Sequence, residues 1–328
     1  MAGRFREARH LAFLGGVRTL QALATVLPRR AALVAFSRLG DLVRHVDRPA
    51  ERRIRSHLEL AFGAERSMAE REALVREVFR ATGRNLVDVL SLRKLDRERS
   101  HRLAVIEGRG HLEAALARGR GVVALSAHFG SWEVLAACCA LDGLPVHVIA
   151  RELFDSRADR WLNEWRERAG VVVHRRSAGL VGALRALRAG EIVAALPDQD
   201  TRGRSAWIEF FGRPARTPTG PFVLARRAGA AMVPVFCHLA PDGRHRIRFL
   251  PALPASAASD RAQAIREDMV HWHEVLEGAI REHPEQWVWY HRRWKSRPET
   301  NALELERSTK EPAYLQVFQP SRELANTR

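Results

Sequence analysis

The sequence contains little cysteine and little lysine. Its three cysteines are Cys138, Cys139 and Cys237, and two neighbours plus one distant residue form neither a disulfide framework nor a zinc pattern. This usage is typical of a reducing compartment. Because only three lysines are present, arginine supplies nearly all of the positive charge.

The sequence also lacks a long uninterrupted apolar run near its N-terminus. Residues 11–27 are apolar but contain Arg18, and arginines flank the segment, so it falls short of the roughly 18 apolar residues of a membrane span. No small-residue cleavage site of a signal peptide is evident. We predict a helix within residues 1–40 that lies in the membrane interface; a helix packed on the domain fits the same pattern.

The composition favours a folded, strongly basic protein. The chain has 328 residues, 46% of them hydrophobic, and a formal net charge of +16. That length suits one large α/β domain or two small ones. The charge attracts polyanions such as nucleic acid, anionic membrane or phosphorylated substrates, and it does not choose among them.

The hydrophobic pattern changes near residue 104. Apolar stripes at helical spacing fill residues 1–100, and short apolar runs then alternate with helical segments. This alternation predicts a mainly parallel sheet with helices on both faces. The predicted strands are 121–126, 145–150, 171–173, 192–196, 232–236 and 245–250. A last helix is expected at 261–282. We assign a domain to residues 41–297 and a poorly ordered polar tail to residues 298–328.

The hexapeptide at 128–133 follows the first of these strands. On one helix, residues five apart point about 140° away from each other, so His128 and Glu133 meet only if the chain turns between them. Gly130 permits such a turn, and Ser131 is a good N-cap for a helix that holds Glu133 in its first turn. A carboxylate that orients an imidazole makes a general base. The alternative is a loop histidine and a helix-start glutamate that never touch.

Polar residues follow a second strand, at Asp198, Gln199 and Asp200. Acidic side chains there can coordinate a metal, orient an arginine or cap a helix. Because no complementary His/Cys cluster accompanies them, we expect no metal site. The preferred role is orientation of an arginine near the pocket.

Two arginines and one loop are candidates for phosphate binding. Arg151 ends a predicted strand and Arg166 lies on a helix, and arginine binds phosphate in bidentate fashion. Surface salt bridges are the alternative for both. The loop 212–220 contains Gly212, Arg213, Thr217 and Gly220; it either binds phosphate or forms a structural turn.

The segment 287–295 combines aromatic and basic residues. Nucleic-acid bases stack on aromatic side chains, but this segment fits better with packing on the sheet or a place at the membrane interface.

The order of these segments resembles the lipid A biosynthesis (late) acyltransferase family, of the lysophospholipid acyltransferase-like superfamily. The resemblance covers most of residues 10–297. One departure is Ser131, which stands where many members have asparagine. The segments that carry it are 121–123, 128–133, Arg151, 183–184, Gly190, 198–200, 210–212, Thr217, Gly220, 224–225 and 284–295.

The resemblance implies a glycerol-3-phosphate acyltransferase-like fold and acyl transfer from a thioester to a lipid hydroxyl. His128 would be the general base, oriented by Glu133. Acyl carrier protein or coenzyme A would carry the acyl group as co-substrate, with no other cofactor and no metal. The acceptor would be an anionic lipid, a lipid A precursor first, at the cytoplasmic face of the inner membrane. The expected substrate-binding residues are Arg151, Arg166, Asp198, Gln199, Gly212, Arg213, Thr217 and Gly220.

Other functions stay open at this point. The acceptor can be a different glycolipid or a lysophospholipid. A non-catalytic relative that binds lipid or another polyanion would share every feature except turnover. A nucleic-acid-binding protein would explain the charge, but neither the His–Glu pattern nor the apolar N-terminus, so we expect no nucleic acid among the partners.

Overall fold

A computed structural model describes residues 2–150, 155–175 and 179–298, with the backbone alone for residues 2–13. The helices are α1 (Ala2–Val26), α2 (Arg29–Val46), α3 (Arg48–Phe62), α4 (Met68–Ser91), α5 (Arg97–Leu103), α6 (Arg109–Leu116), α7 (Trp132–Leu141), α8 (Ser156–Arg168), α9 (Gly179–Arg188), α10 (Gly220–Ala228) and α11 (Arg261–Glu282). The strands are β1 (Ala104–Glu107), β2 (Val122–Leu125), β3 (Val146–Ala150), β4 (Val172–Arg175), β5 (Ile192–Ala195), β6 (Ser205–Phe210), β7 (Arg213–Pro218), β8 (Ala231–Leu239) and β9 (His245–Phe249). Short 3₁₀ turns occupy Leu92–Lys94 and Pro284–Gln286.

Seven strands form one sheet in the order β1-β9-β8-β2-β5-β3-β4. The β8–β9 pair is antiparallel, and the other neighbouring pairs are parallel. The predicted α/β class, with a mainly parallel sheet flanked by helices, is confirmed.

Strand β2 shows why the sheet needs helices on both faces. All four of its residues are buried, and successive side chains of a strand point to opposite faces. Val123 and Leu125 join a core formed with α3, α4, α9, α10 and α11. Val122 and Ala124 join a second core formed with α6 and α7. A strand that is buried on both faces has a continuous apolar sequence, and the sequence of β2 is continuously apolar.

The N-terminal region is a pair of helices, α1 and α2, separated at Pro28. Helix α2 lies very close to α4, because glycines stand at the contact. A Cβ on Gly40 would lie 2.4 Å from the carbonyl oxygen of Phe79, and one on Gly83 would lie 2.1 Å from that of Phe36. The predicted domain boundary at residue 40 lies inside α2. No helix among the described residues is both long and apolar enough to span a membrane.

The strands β6 and β7 form a hairpin, which the sequence reading did not anticipate. Phe210 pairs with Arg213, and the two residues between them, Phe211 and Gly212, have φ values of +50° and +68°. Positive φ at both central positions is the geometry of a type I′ turn. The segment 212–220, predicted as a loop, therefore contains three different elements. Gly212 belongs to the turn, the following residues form β7, and Gly220 begins α10.

The segment after α11 crosses the carboxyl end of β2. Trp287 forms an isolated antiparallel bridge with Phe129, and the amide of Val288 donates to the carbonyl of His128 at 3.2 Å. The side chains of Trp287 and Trp289 are buried in the core beneath this segment. The sequence left open whether the segment packs on the sheet or lies at the membrane interface, and these two tryptophans pack in the core. The predicted disordered tail lies, beyond Pro298, outside the described residues.

Candidate active site

His128 is held in a tight loop between β2 and α7. Gly130 has φ +55°, and its amide donates to the carbonyl of Gln286 at 2.8 Å. A Cβ at this position would lie only 1.8 Å from the carbonyl oxygen of Cys237. The expected turn at Gly130 is therefore present, and β8 behind it leaves no room for a side chain.

The carboxylate of Asp198 binds His128. It lies after β5, which neighbours β2 in the sheet, so both residues stand at the carboxyl ends of adjacent parallel strands. One carboxylate oxygen accepts from the Nδ1 of His128 at 2.7 Å, and the other accepts from the His128 amide at 2.9 Å. The indole of Trp287 donates to that second oxygen at 3.0 Å. Asp198 was expected to orient an arginine; it orients the histidine instead.

These contacts fix the chemistry of the His128 ring. Because Asp198 accepts from Nδ1–H, the lone pair of the neutral ring lies on Nε2. Burial acts to lower the pKa of His128, but the charge and hydrogen bond of Asp198, with the charge of Glu133, outweigh it and raise that pKa. Burial acts to raise the pKa of Asp198, and the charge and hydrogen bonds of His128, with that of Trp287, lower it to about 2. Asp198 is therefore ionised at neutral pH.

Glu133 does not take the predicted position against His128. It lies in the first turn of α7, where Arg166 of α8 binds its two oxygens through Nε at 2.8 Å and Nη2 at 2.5 Å. The Trp132 indole also donates to it at 3.2 Å. No hydrogen bond between Glu133 and His128 is found in the described part of the chain. Glu133 acts on the imidazole through its charge, and direct orientation belongs to Asp198.

Arg166 is neither an exposed surface ion pair nor a free phosphate ligand. Its side chain is 15% exposed and that of Glu133 is 8% exposed, and the amide oxygen of Asn163 accepts from it at 2.9 Å. The guanidinium compensates a buried carboxylate, which is costly to leave unpaired.

Ser131 differs from its predicted role as a capping residue. It occupies the N-cap position of α7, but its side chain makes no capping hydrogen bond. Its hydroxyl is buried and finds no partner among the described residues. The turn at Gly130 and the carbonyl of Ser131, which accepts from Leu135 at 3.0 Å, start the helix instead.

Aromatic rings surround the exposed side of His128, whose side chain is 22% exposed. The ring centroids of Trp132 and His291 lie 5.0 and 5.3 Å from its own. Gln199 Nε2 lies 3.5 Å from His291 Nε2, so the predicted Gln199 stands at this edge of the site. Burial and then the charge of His128 lower the pKa of His291 to about 4, which leaves His291 neutral beside the base.

The other predicted binding residues divide between the core and the surface. Thr217 is fully buried, and its hydroxyl lies 2.6 Å from Arg293 Nη2 and 3.1 Å from His273 Nε2; it is a structural residue and not a substrate ligand. Arg213 is exposed at the start of β7, and Gly220 is exposed at the start of α10. Arg151 lies outside the described residues. No group of metal-binding side chains occurs in the ranges that the structure describes.

The family profile of the bacterial lipid A biosynthesis acyltransferases matches residues 4–296. The chain belongs to this family. This acyltransferase is 31% identical over 265 residues to the lipid A biosynthesis lauroyltransferase of Escherichia coli K12, covering 80% of this chain and 84% of that relative. It is 30% identical over 213 residues to the phosphatidylinositol mannoside acyltransferase of Mycobacterium tuberculosis CDC 1551, covering 60% and 64%. It is similar to the crystal structure of the 1-acyl-sn-glycerophosphate acyltransferase PlsC from Thermotoga maritima with a TM-score of 0.36 and 14% identity, over 79% of this chain and 99% of that one.

The sequence reading missed the residues that the C-terminal segment of the acyltransferase adds to the site. Trp287 contacts Asp198, and His291 contacts Gln199 and the His128 ring. One signal was available, because a buried tryptophan usually finds a partner for its indole N–H. Nothing in the spacing shows that this partner is the carboxylate after β5.

Proposed function

We propose that this acyltransferase moves a fatty acyl chain from an acyl thioester to a hydroxyl of a lipid acceptor, with His128 as general base. The observation that supports this role most directly is the 2.7 Å contact between His128 Nδ1 and Asp198. It directs the basic Nε2 away from the carboxylate, and it stabilises the imidazolium that forms during the reaction.

The reaction balances with this one base. Nε2 takes the proton of the acceptor hydroxyl while the hydroxyl oxygen attacks the thioester carbonyl. The tetrahedral intermediate collapses, the C–S bond breaks, and the leaving thiolate takes the proton from the imidazolium. The products are an ester and a free thiol. No cofactor besides the acyl thioester enters this scheme.

The burial of the three cysteines favours direct acyl transfer, without an acyl-enzyme intermediate on a thiol. Cys138 and Cys139 are buried, and burial raises the pKa of Cys138 to about 12. Burial also raises the pKa of Cys139 and that of the buried Cys237 far above the usual range. A thiol that stays protonated is a poor nucleophile, and a thioester is already activated toward a hydroxyl.

The acceptor that the relatives favour is a lipid A precursor, because the matching family and the lauroyltransferase relative both act in lipid A biosynthesis by name. Phosphatidylinositol mannoside is the second candidate, from the named activity of the mycobacterial relative. Both are anionic glycolipids. Of the predicted binding residues, we propose that Arg151, Gln199 and Arg213 bind the headgroup of the acceptor.

The N-terminal helices support a position on the membrane surface. Val26 of α1 and Val34, Leu42 and Val46 of α2 expose more than half of their surface. Exposed arginines, including Arg38, lie among them. Apolar side chains interspersed with cations suit the interface of an anionic bilayer. We place the enzyme at the cytoplasmic face of the inner membrane, where acyl thioesters are available, and we assign it no nucleic-acid partner.

The test is acyl transfer by the purified full-length protein in detergent, with a radiolabelled acyl thioester and a lipid A precursor or phosphatidylinositol mannoside. His128→Ala should reduce turnover by about 10³-fold or more, with the near-UV circular dichroism spectrum unchanged. A near-wild-type rate would refute His128 as the base. Absence of labelled lipid in the wild-type reaction would instead support a non-catalytic, lipid-binding relative.

A further inference from the structure

Arg293 is a buried cation in the segment after α11. The residue is 1% exposed, although arginine is almost never fully buried without a charged partner. Its Nη1 donates to the carbonyl of Arg216 at 2.6 Å. Its Nη2 donates to the hydroxyl oxygen of Thr217 at 2.6 Å and lies 3.1 Å from Nε2 of His273. Within the described ranges, no carboxylate accepts a hydrogen bond from this guanidinium.

The groups that accept from Arg293 are all neutral. The Nδ1 of His273 donates to the carbonyl of Met269 at 2.7 Å, so the lone pair of the ring lies on Nε2 and faces the guanidinium. Burial and then the charge of Arg293 lower the pKa of His273 to about 3, and His273 is therefore uncharged at neutral pH. The hydrogen bonds of the guanidinium are made, but its charge is not compensated at the point of contact.

The anions that act on Arg293 belong to the loop of the catalytic carboxylate. Burial lowers the pKa of Arg293 to about 10, and the charges of Asp198 and Asp200 oppose that effect. The guanidinium lies over the ring of Phe210, 5.2 Å from its centroid. That ring makes an edge contact with Trp287 at 5.5 Å, and Trp287 donates to Asp198. Arg293 is therefore a charged group at neutral pH, separated from Asp198 by two aromatic side chains.

Anchoring of the segment alone does not account for this charge. A buried cation is costly, and apolar side chains of similar volume often replace buried charges without loss of stability. The charges of the site provide a reason. Glu133 is compensated by Arg166, whereas Asp198 contacts only a neutral base in the resting enzyme. Without Arg293, the oxyanion of the tetrahedral intermediate would form in a buried site that already carries an excess negative charge.

We propose that Arg293 is a positioning residue of the reaction, and that its buried cation compensates the charge of Asp198. The inference rests on the proposed acyl transfer with His128 as base. Arg293 touches neither substrate nor reacting atoms, and it acts through Asp198. Its charge keeps the His128 ring neutral until the ring takes the hydroxyl proton, and it offsets the repulsion between Asp198 and the oxyanion.

The sign of the effect on the base follows from the groups around it. Asp198 and Glu133 raise the pKa of His128, and the ring of the neutral His291 lies against it. A cation behind Asp198 weakens the attraction between that carboxylate and an imidazolium. Removal of the Arg293 charge should therefore raise the pKa of His128 and move the onset of activity to higher pH.

The experiment measures the pKa of His128 by nuclear magnetic resonance and needs no turnover. The full chain in detergent is isotope-labelled at Cε1 of histidine, and the His128 signal is the one that disappears in His128→Gln. Arg293→Gln and Arg293→Met remove the charge with two different shapes, and Arg293→Lys retains it. Thr217→Val is the matched control, because it removes one acceptor of the guanidinium and leaves the charge. Thermal unfolding establishes that each variant is folded at the temperature of the titration.

We expect both uncharged variants to raise the pKa of His128 by about 0.5 or more, and to lower kcat at the pH plateau about tenfold or more. Arg293→Lys and Thr217→Val should keep that pKa within about 0.2 of the wild-type value. The same pKa in wild type and in a folded uncharged variant would overturn the proposal. So would a rise in Thr217→Val as large as that in Arg293→Gln, because disturbed packing would then explain both. Absence of acyl transfer by the wild type would instead overturn the proposed function.

Discussion

At the residue scale, the site depends on one buried carboxylate that receives three hydrogen bonds. Asp198 accepts from the backbone and ring of His128 and from the indole of Trp287. Each bond has a different effect. The bond from the amide holds the His128 loop, the bond from the ring sets the tautomer of the imidazole, and the bond from the indole holds the carboxylate in position. The carboxylate is fully buried, so it has little freedom to relax when one of these donors is removed.

Trp287→Phe tests the third of these bonds. Loss of a hydrogen bond to a charged group costs about 2 kcal/mol, so we expect kcat to fall by about tenfold or more while the KM values change little. Trp289→Phe is the matched control, because its indole donates to the carbonyl of Pro284 and not to Asp198. The control should lower thermal stability and leave kcat near wild type. Equal losses of kcat in both variants would show that aromatic packing, and not the contact with Asp198, matters.

At the scale of elements, the loop between β2 and α7 is built by close approach to β8. Gly130→Ala should destabilise the fold by about 3 kcal/mol or more, because its methyl group cannot fit beside Cys237 and it also carries the strain of positive φ. Gly143→Ala is the control. Gly143 has φ +90°, and nothing lies within 4 Å of the position that an added methyl group would take, so only the strain of about 1 kcal/mol remains. Urea unfolding of both variants measures the difference, and equal values would contradict the steric argument.

The elements also show what the sequence could predict. Strands β2, β3, β5 and β8 were visible because each is a short apolar run. The hairpin β6–β7 was not, because Pro214 and Pro218 in β7 read as loop residues. Proline is confined to edges and ends of sheets, and this two-stranded hairpin has only edges.

The sequence could not identify the hydrogen-bond partner of His128, because that partner depends on the order of the strands in the sheet. Glu133 lies five residues away and was the natural candidate, whereas Asp198 lies 70 residues away. Strands β3 and β4 intervene in the sequence between β2 and β5, yet β2 and β5 are neighbours in the sheet. The sequence placed both His128 and Asp198 at strand ends, but only the fold shows that these two ends are adjacent.

At the scale of the whole molecule, exposed apolar side chains concentrate on the N-terminal helices of the acyltransferase, where exposed arginines lie among them. Most of the exposed large hydrophobic side chains among the described residues belong to α1 and α2, and these helices are tied to the domain by Arg29. Its guanidinium binds the buried carboxylate of Asp88 at 2.7 and 2.8 Å, and Asp88 also binds His245 of β9 at 2.8 Å. The N-terminal helices are therefore anchored to the catalytic domain through α4 and the sheet.

This arrangement makes membrane binding testable by substitution on α2. Leu42→Glu/Val46→Glu should reduce co-sedimentation with vesicles of phosphatidylethanolamine and phosphatidylglycerol by about tenfold, because it removes apolar contact and adds negative charge. Met68→Glu, at the start of α4 and 73% exposed, is the control and should sediment like wild type. Unchanged sedimentation of the α2 variant would place the membrane contact elsewhere.

The pH dependence of kcat/KM for wild type, Asp198→Asn and Glu133→Gln is the decisive test of how the base is held. A general base must be neutral, and Asp198 and Glu133 raise the pKa of His128 above its ordinary value against the effect of burial. The wild-type rate should therefore rise with pH through an apparent pKa higher than that of a free imidazole.

Asp198→Asn should lower that apparent pKa and reduce the plateau by about 10³-fold, because the charge and the Nδ1–H acceptor are both lost. Glu133→Gln should cause the smaller shift, because Glu133 acts on the ring through charge alone. An apparent pKa that stays in place in Asp198→Asn and moves in Glu133→Gln would contradict the assignment of Asp198 as the carboxylate that orients His128.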